Sequence, residues 1–277
     1  MKIIKRSGHL VDFNREKLKH SLLKSGAKVD VVENVLNQIE NQIFDGITTR
    51  QIYKFAFSLL KKSANAHAAR YNLKSAIQML GPAGFFFEKF IARLFIAEGF
   101  ETKINLILSG KCISHEMDIL TKKQGVISMV ECKFHSSNDK ASDVKVPMYI
   151  LSRFNDLKEV NHAIFSDADI ISNCIIVTNN RFTTDAITFS GCYDIQLISW
   201  DSPKDRSLRK RIDNDNLYPM TCLTTLTSLE KEKLLVLEII LVAELIKAPE
   251  VLERIGISQK RSKNILKEAS ELCNYLK

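Results

Sequence analysis

The sequence has no run of apolar residues approaching the roughly 20 that a helix needs to cross a bilayer. None of its six cysteines (112, 132, 174, 192, 222 and 273) forms a C-x-x-C pair. Cysteines scattered in this way serve as small buried hydrophobes more often than as metal ligands. Cys112-x-x-His115 and Cys132-x-x-His135 together mimic a four-ligand zinc pattern. On a strand, however, positions three apart point to opposite faces, so neither pair can close on one ion. The opening Met1-Lys2-Ile3-Ile4-Lys5-Arg6 lacks the apolar stretch of a signal peptide, so a cytoplasmic location without membrane attachment is expected. Internal repeats and low-complexity tracts are absent as well.

What remains is an ordinary globular composition, 45% hydrophobic and 26% charged, in 277 residues, enough for two or three units. The formal charge of +8 is unevenly spread. Residues 1–80 hold 14 Lys and Arg against 6 Asp and Glu, while the rest of the chain balances at 26 of each. A basic excess confined to one end points to phosphate as its partner, in a nucleotide or in nucleic acid.

Three textures follow one another. Residues 1–79 read as a hairpin turning at Ser7-Gly8, then helices carrying Leu18, Leu22 and Leu23, then Val31, Val35 and Ile39, then Ile52, Phe55 and Leu59. Thr48 or Thr49 supplies an N-cap before Gln51-Ile52, and a last helix from Tyr71 to Leu80 stops at Gly81-Pro82. Residues 80–202 read as mixed α/β. A helix through Phe87 to Phe95 precedes strands at Lys103–Leu108, His115–Thr121 and Val126–Phe134, with Lys122–Gly125 as the loop between the last two. A helix at Val146–Leu157, a strand at Cys174–Thr178, a helix at Thr183–Phe189 and a strand at Ile195–Trp200 complete it. Residues 203–277 read as a polar linker and a helical C-terminal region, with one apolar helix from Leu229 to about Ile246.

The strongest chemical signal lies in residues 84–133. Glu88 sits on the first helix of the α/β segment, Asp118 ends the polar run from His115, and Glu131-Cys132-Lys133 interrupts an otherwise apolar strand. Alternation puts Glu131 and Lys133 on one face, and a short loop brings Asp118 beside Glu131. Burying two charges in such a strand is costly unless they pair or bind an ion. Hard carboxylates of this kind bind Mg²⁺ or Mn²⁺, with the backbone carbonyl of Cys132 as a further ligand. Such a metal activates water for phosphodiester hydrolysis, and Lys133 stabilises charge on the phosphorane oxygens.

The series Gly84-x-x-Phe87-Glu88, Gly99-Phe100, His115-Glu116-x-Asp118 and Glu131-Cys132-Lys133 resembles the PD-(D/E)xK nuclease superfamily, in particular its Mrr-type restriction endonuclease branch. Val177-Thr178-Asn179-Asn180-Arg181-Phe182-Thr183-x-x-Ala186 and Leu197-Ile198-Ser199-Trp200 extend the match. The resemblance implies a restriction-endonuclease-like core, a central mixed sheet flanked by helices, acting on double-stranded DNA. By implication Asp118, Glu131 and Lys133 are catalytic, and Glu88 plays a supporting metal or proton-relay role. Met117 stands where the superfamily usually has proline. His115 and His135 flank the site, either as contacts to phosphate or simply as exposed histidines at strand ends.

Near the N-terminus, Ile3-x-Lys5-Arg6-x-Gly8 and Val11-x-Phe13-Asn14-x-x-Lys17 resemble the ATP-cone domain, with Thr49-x-x-Ile52-Tyr53 and Ala68-Ala69-Arg70-Tyr71 continuing the likeness. That resemblance implies a mostly helical domain binding ATP or dATP through Lys5, Arg6, Asn14, Lys17 and Thr49. Cationic donors there suit phosphate. The combined expectation is a nucleotide-regulated, metal-dependent DNA endonuclease in restriction or defence, working as a dimer or larger homo-oligomer. Two other readings are a non-catalytic DNA-binding protein and a nucleotide-responsive regulator, since ATP-cones also occur in repressors.

Overall fold

The structure is a computed structural model describing residues 1–5, 7–81, 84–137 and 139–273. The chain forms two units. One combines Met1–Ile77 with the segment from Tyr218 onward, and the other is Gln78–Leu217.

The first unit begins with β1 (Lys2–Ile4) and β2 (Leu10–Asp12), an antiparallel pair in which Ile3 faces Val11. Gly8 turns the chain at φ +85°, a conformation that glycine adopts without steric cost. Helices α1 (Arg15–Leu23) and α2 (Val29–Glu40) follow, then β3 (Ile47–Thr48), which joins β1 in parallel to complete a three-stranded sheet. Next come α3 (Thr49–Ser63), α4 (Asn65–Tyr71) and α5 (Leu73–Gln78). The single helix expected through Tyr71 to Leu80 is therefore divided at Asn72, whose Oδ1 accepts a 2.6 Å hydrogen bond from the Tyr53 hydroxyl. Asn14 caps α1 by accepting from the Lys17 amide, and Thr48 caps α3 in a reciprocal capping box with Gln51. The apolar faces of these helices close over Leu22, Leu36, Ile39, Ala56 and Leu60, all fully buried.

In the second unit α6 (Phe85–Ala97) leads into β4 (Glu101–Ser109), β5 (Ser114–Lys123) and β6 (Val126–Lys133), followed by α7 (Lys145–Leu157), β7 (Ile171–Thr178), α8 (Thr184–Cys192), β8 (Gln196–Ile198) and α9 (Leu208–Asp215). The five strands form one mixed sheet in the order β4-β5-β6-β7-β8, antiparallel from β4 to β6 and parallel from β6 to β8. The β5–β6 hairpin turns on Gln124 and Gly125 alone, at φ 52° and 80°. The four-residue loop expected there is thus a two-residue turn, with both central residues left-handed as a type I′ turn requires. Met129, Ile150, Leu157, Cys174, Ile176 and Ala186 share a buried cluster that joins the sheet to α7 and α8.

The stretch expected as a linker holds a helix of its own. Arg211 on α9 pairs with Glu98 at 3.2 Å and lies over the Phe95 ring at 5.3 Å, which ties α9 to α6. The chain then returns to the first unit as α10 (Ser228–Val236), α11 (Val242–Lys247), α12 (Val251–Arg254) and α13 (Gln259–Cys273). The expected helix from Leu229 to Ile246 is interrupted, because Glu238 adopts φ 60° and the Ile239 amide turns back to the Leu234 carbonyl. These are the hydrogen bonds of a helix-ending motif. Leu234, Leu235, Ile240 and Leu241 are nevertheless buried. Glu268 of α13, 1% exposed, accepts from the amides and hydroxyls of both Thr224 and Thr225. Thr221 Oγ1 donates to the Ala76 carbonyl at 2.7 Å, and Arg70 lies over the Tyr218 ring. The C-terminal helices are thereby part of the N-terminal unit's core. Among the described residues no helix is long and apolar enough to cross a membrane.

Candidate functional site

The β5–β6 ladder runs from the hairpin as far as Ile119 opposite Val130. One step further, Asp118 Oδ2 accepts a 2.8 Å hydrogen bond from the Cys132 amide, so a side chain takes the place of a ladder partner. Glu131, 4% exposed, and Lys133 follow on β6, and Lys133 Nζ lies 2.5 Å from Glu131 Oε1. Pairing two residues apart on one strand is what the alternation of side chains permits. Glu88 reaches the same group from the first turn of α6, which starts at Gly84 with φ +86°.

The electrostatics show how closely these acids stand. Burial pushes the Glu88 carboxyl up to about 7, with Asp118, Glu131 and Glu116 adding to the effect. Burial and then the Glu131 charge push Asp118 up to about 6, against the Cys132 amide bond that favours its ionised form. Burial raises the Cys132 thiol far above its usual range.

One member of the cluster was missing from the sequence reading. Arg153 of α7 donates through Nη1 to Glu131 Oε2 at 2.8 Å and through Nη2 to the Glu116 carbonyl. Its side chain is only 10% exposed. The available signal was a guanidinium three residues after the fully buried Ile150 and four before the equally buried Leu157, on the inward face of the helix. The two flanking histidines are engaged elsewhere. His115 Nε2 bonds Asp156 Oδ2 at 2.8 Å, and His135 Nε2 bonds Ser142 Oγ at 2.9 Å. The loop after Lys133 is pinned to the end of β7, since Asn179 exchanges hydrogen bonds with both backbone groups of His135.

As a metal site the cluster offers hard oxygen donors, namely the carboxylates of Asp118 and Glu131, Glu88 behind them, and the Cys132 carbonyl. Among the described residues no group of three or more His, Cys, Asp or Glu side chains is arranged to hold an ion. Both Glu131 oxygens are already hydrogen-bonded. Mg²⁺ asks for less than such a cage, since it is commonly held by one or two carboxylates and several waters. Burial first, and repulsion from neighbouring acids second, raises Glu88 and Asp118. Oxygen donors of this kind are the type that Mg²⁺ or Mn²⁺ takes.

In the other unit Lys5, Asn14, Lys17 and Thr49 line one cavity of about 460 Å³; Arg6 lies outside the described residues. Phe13, Tyr53 and Tyr71 contribute its aromatic wall, and the two tyrosine rings stack at 4.9 Å. The sheet brings in Lys5, the cap of α1 brings in Asn14, and the start of α3 brings in Thr49.

Comparison with known proteins places these units. Residues 1–75 match the ATP cone domain, and residues 218–273 match the family described as AF1548-like, C-terminal. An uncharacterized protein of Archaeoglobus fulgidus is 30% identical over 186 residues, 66% of this chain and 99% of its own length. The chain belongs to that protein's family. A crystal structure described as that of a protein of unknown function, AF1548, superposes with a TM-score of 0.57 at 29% identity, over 69% of this chain and 98% of its own. The structure of Can2 from Sulfobacillus thermosulfidooxidans in complex with cyclic tetra-adenylate is a remote match, with a TM-score of 0.34 and 16% identity over 72% of this chain and 55% of that one. A likeness of that size carries no argument here.

Proposed function

We propose that residues 80–202 are a metal-dependent endonuclease domain of the PD-(D/E)xK type, close to the Mrr branch, that hydrolyses phosphodiester bonds of double-stranded DNA. The observation that carries this reading is the meeting of Asp118, Glu131 and Lys133 on adjacent strand ends, with Glu88 beside them. Asp118, Glu131 and the Cys132 carbonyl would hold the metal. The chemistry that bound Mg²⁺ or Mn²⁺ supplies is polarisation of the phosphodiester and activation of a water. Lys133 Nζ faces the developing negative charge on the phosphate oxygens. Arg153 holds the Glu131 carboxylate in place. The Glu88 carboxyl, beside Asp118 and Glu131, plays a supporting part in metal binding or proton relay.

The ATP-cone at residues 1–75 is the sensor in this reading. ATP or dATP in the cavity holding Lys5, Asn14, Lys17 and Thr49 alters cleavage or self-association, the protein acting as a homo-oligomer in restriction or defence. Its basis is the fusion of the two domains in one chain.

The test is cleavage of methylated and unmethylated plasmid in Mg²⁺ or Mn²⁺, without nucleotide and with ATP or dATP. Metal-dependent cutting by the wild type, lost in Asp118→Ala and Lys133→Ala, is the expected result. Absence of cutting under every condition, with DNA bound and the variants folded, would replace this reading by a DNA-binding role. Unchanged cutting and assembly with either nucleotide removes the sensing role.

A further inference from the structure

A second cavity, of about 350 Å³, lies at the outer end of the parallel strands, between α8 and the turn after β8. Its lining includes the exposed charges Arg181 and Asp201, the apolar Phe182, Leu197 and Pro203, and the hydroxyl-bearing Ser190. Ser190 is 1% exposed, and its Oγ has no hydrogen-bond partner. Its Oγ is also closed off from solvent, so Ser190 lies beneath the cavity floor rather than facing into it. No ion pair recorded among the described residues engages Arg181 or Asp201.

The position of this cavity relative to the acidic cluster follows from the sheet register. Glu131 pairs with Ile176, and Ile176 pairs with Leu197. In parallel strands such partners project from the same face, so Leu197 stands in the row of Glu131, two strands away. At about 4.8 Å per strand the separation is about 10 Å. That is about three nucleotides at the 3.4 Å rise of one DNA strand. Arg181 and Asp201 follow the C-terminal ends of β7 and β8, the same edge on which Lys133 ends β6.

We infer that this cavity accepts a single unstacked nucleobase of the strand being cut, an inference that rests on the nuclease reading. Its volume is near the lower end for small-ligand pockets, which suits one base and excludes a duplex. Apolar walls receive the faces of the ring. Arg181 donates to acceptors on the base edge, and Asp201 accepts from its amino group.

Gly191 provides the test. A Cβ built there meets no heavy atom within 4 Å, so this lining position accepts a side chain, and Gly191→Leu adds bulk beside the cavity. The probe is duplex DNA carrying 2-aminopurine at successive positions around the cleaved bond, bound by full-length protein in EDTA. Free 2-aminopurine riboside is titrated in parallel, and plasmid cleavage is measured with Mg²⁺. The expected result is a severalfold rise in emission at one position, lost in Gly191→Leu, with about tenfold weaker DNA binding. Arg181→Ala, which adds no bulk, reduces the rise. Plasmid cleavage with no emission change at any position, or a change that Gly191→Leu leaves intact, overturns the inference and spares the nuclease. Riboside binding that Gly191→Leu abolishes, without response to the oligonucleotide, reassigns the cavity to a free nucleotide. Absence of both DNA binding and cleavage sinks the nuclease reading and this inference with it.

Discussion

Arg153 Nη1 lies 2.8 Å from Glu131 Oε2, while Lys133 Nζ lies 2.5 Å from the other oxygen of the same carboxylate. A buried anion is thus held between two cations from different elements, one on its own strand and one on a helix packed across the sheet. That arrangement makes Glu131 rigid and makes its stability depend on both partners.

Removing Arg153 leaves Glu131 buried with half its compensation. Arg153→Ala is expected to lower unfolding stability by about 3 kcal/mol, read from urea midpoints at constant m-value. Glu131→Gln in the same background recovers much of that loss, because the uncompensated charge is gone. If the single variant proves neutral, the pair contributes nothing and Arg153 has no positioning role.

Asp156 anchors the β4–β5 connection. Its carboxylate takes the His115 ring and the Cys112 and Ile113 amides, and the His115 bond leads the causes that depress it to about 2. A carboxyl whose folded pKa is depressed contributes stability that is complete above its unfolded value near 4. That contribution is lost as pH falls toward the folded value near 2. Thermal melts of Asp156→Asn should therefore show a shallower decline than wild type between these two limits. A parallel decline would show that other acids govern acid unfolding.

Gly110 closes against the same carboxylate. A Cβ there would lie 2.1 Å from Asp156 Oδ2 and 2.9 Å from the Ile113 carbonyl. Gly110→Ala should destabilise by about 1–3 kcal/mol through overpacking. Calorimetry on the two proteins measures it.

The adjacent threonines 48 and 49 have separable roles. Thr48 is the cap of α3, so Thr48→Ala should cost about 1 kcal/mol of stability and leave nucleotide binding alone. Thr49 lines the cavity, so Thr49→Ala should weaken a fluorescent ATP analogue with little change in melting. Titration calorimetry with ATP distinguishes the two, and identical profiles would refute the assignment of Thr49.

Glu268 accepts four hydrogen bonds from residues 224 and 225. Glu268→Ala leaves those half-buried donors without their partner and should cost about 1–2 kcal/mol. Hydrogen exchange is expected to speed up in α3 and α4 as well as in α13, because these helices share a unit. Faster exchange confined to α13 would show the C-terminal helices to be energetically separate.

Much of this was local enough to read from residue order. Period-2 alternation put Glu131 and Lys133 on one face, and helical periodicity marked Leu22, Val35, Ile39 and Ile52 as inward. Capping chemistry acts over three residues, so the start of α3 was legible to within one position. The motifs of the ATP cone were legible too, because each spans only a few adjacent residues. Arg153 was not, since its partnership with Glu131 depends on which face of the sheet α7 covers. The break at Glu238 was also hidden, because Leu234 to Leu241 reads as an uninterrupted apolar run.

The sequence by itself determined most of the strands of the sheet and the shared face of Glu131 and Lys133, because strand and helix periods are set by backbone geometry within a few residues. Tertiary structure alone decided that residues after Tyr218 return to the core of the N-terminal unit. It alone placed a helical arginine on Glu131 and lined up Glu131, Ile176 and Leu197 across three strands. Those relationships join residues from 21 to well over a hundred positions apart. No local period encodes them; they arise only when apolar faces are buried together and the register of the strands is set.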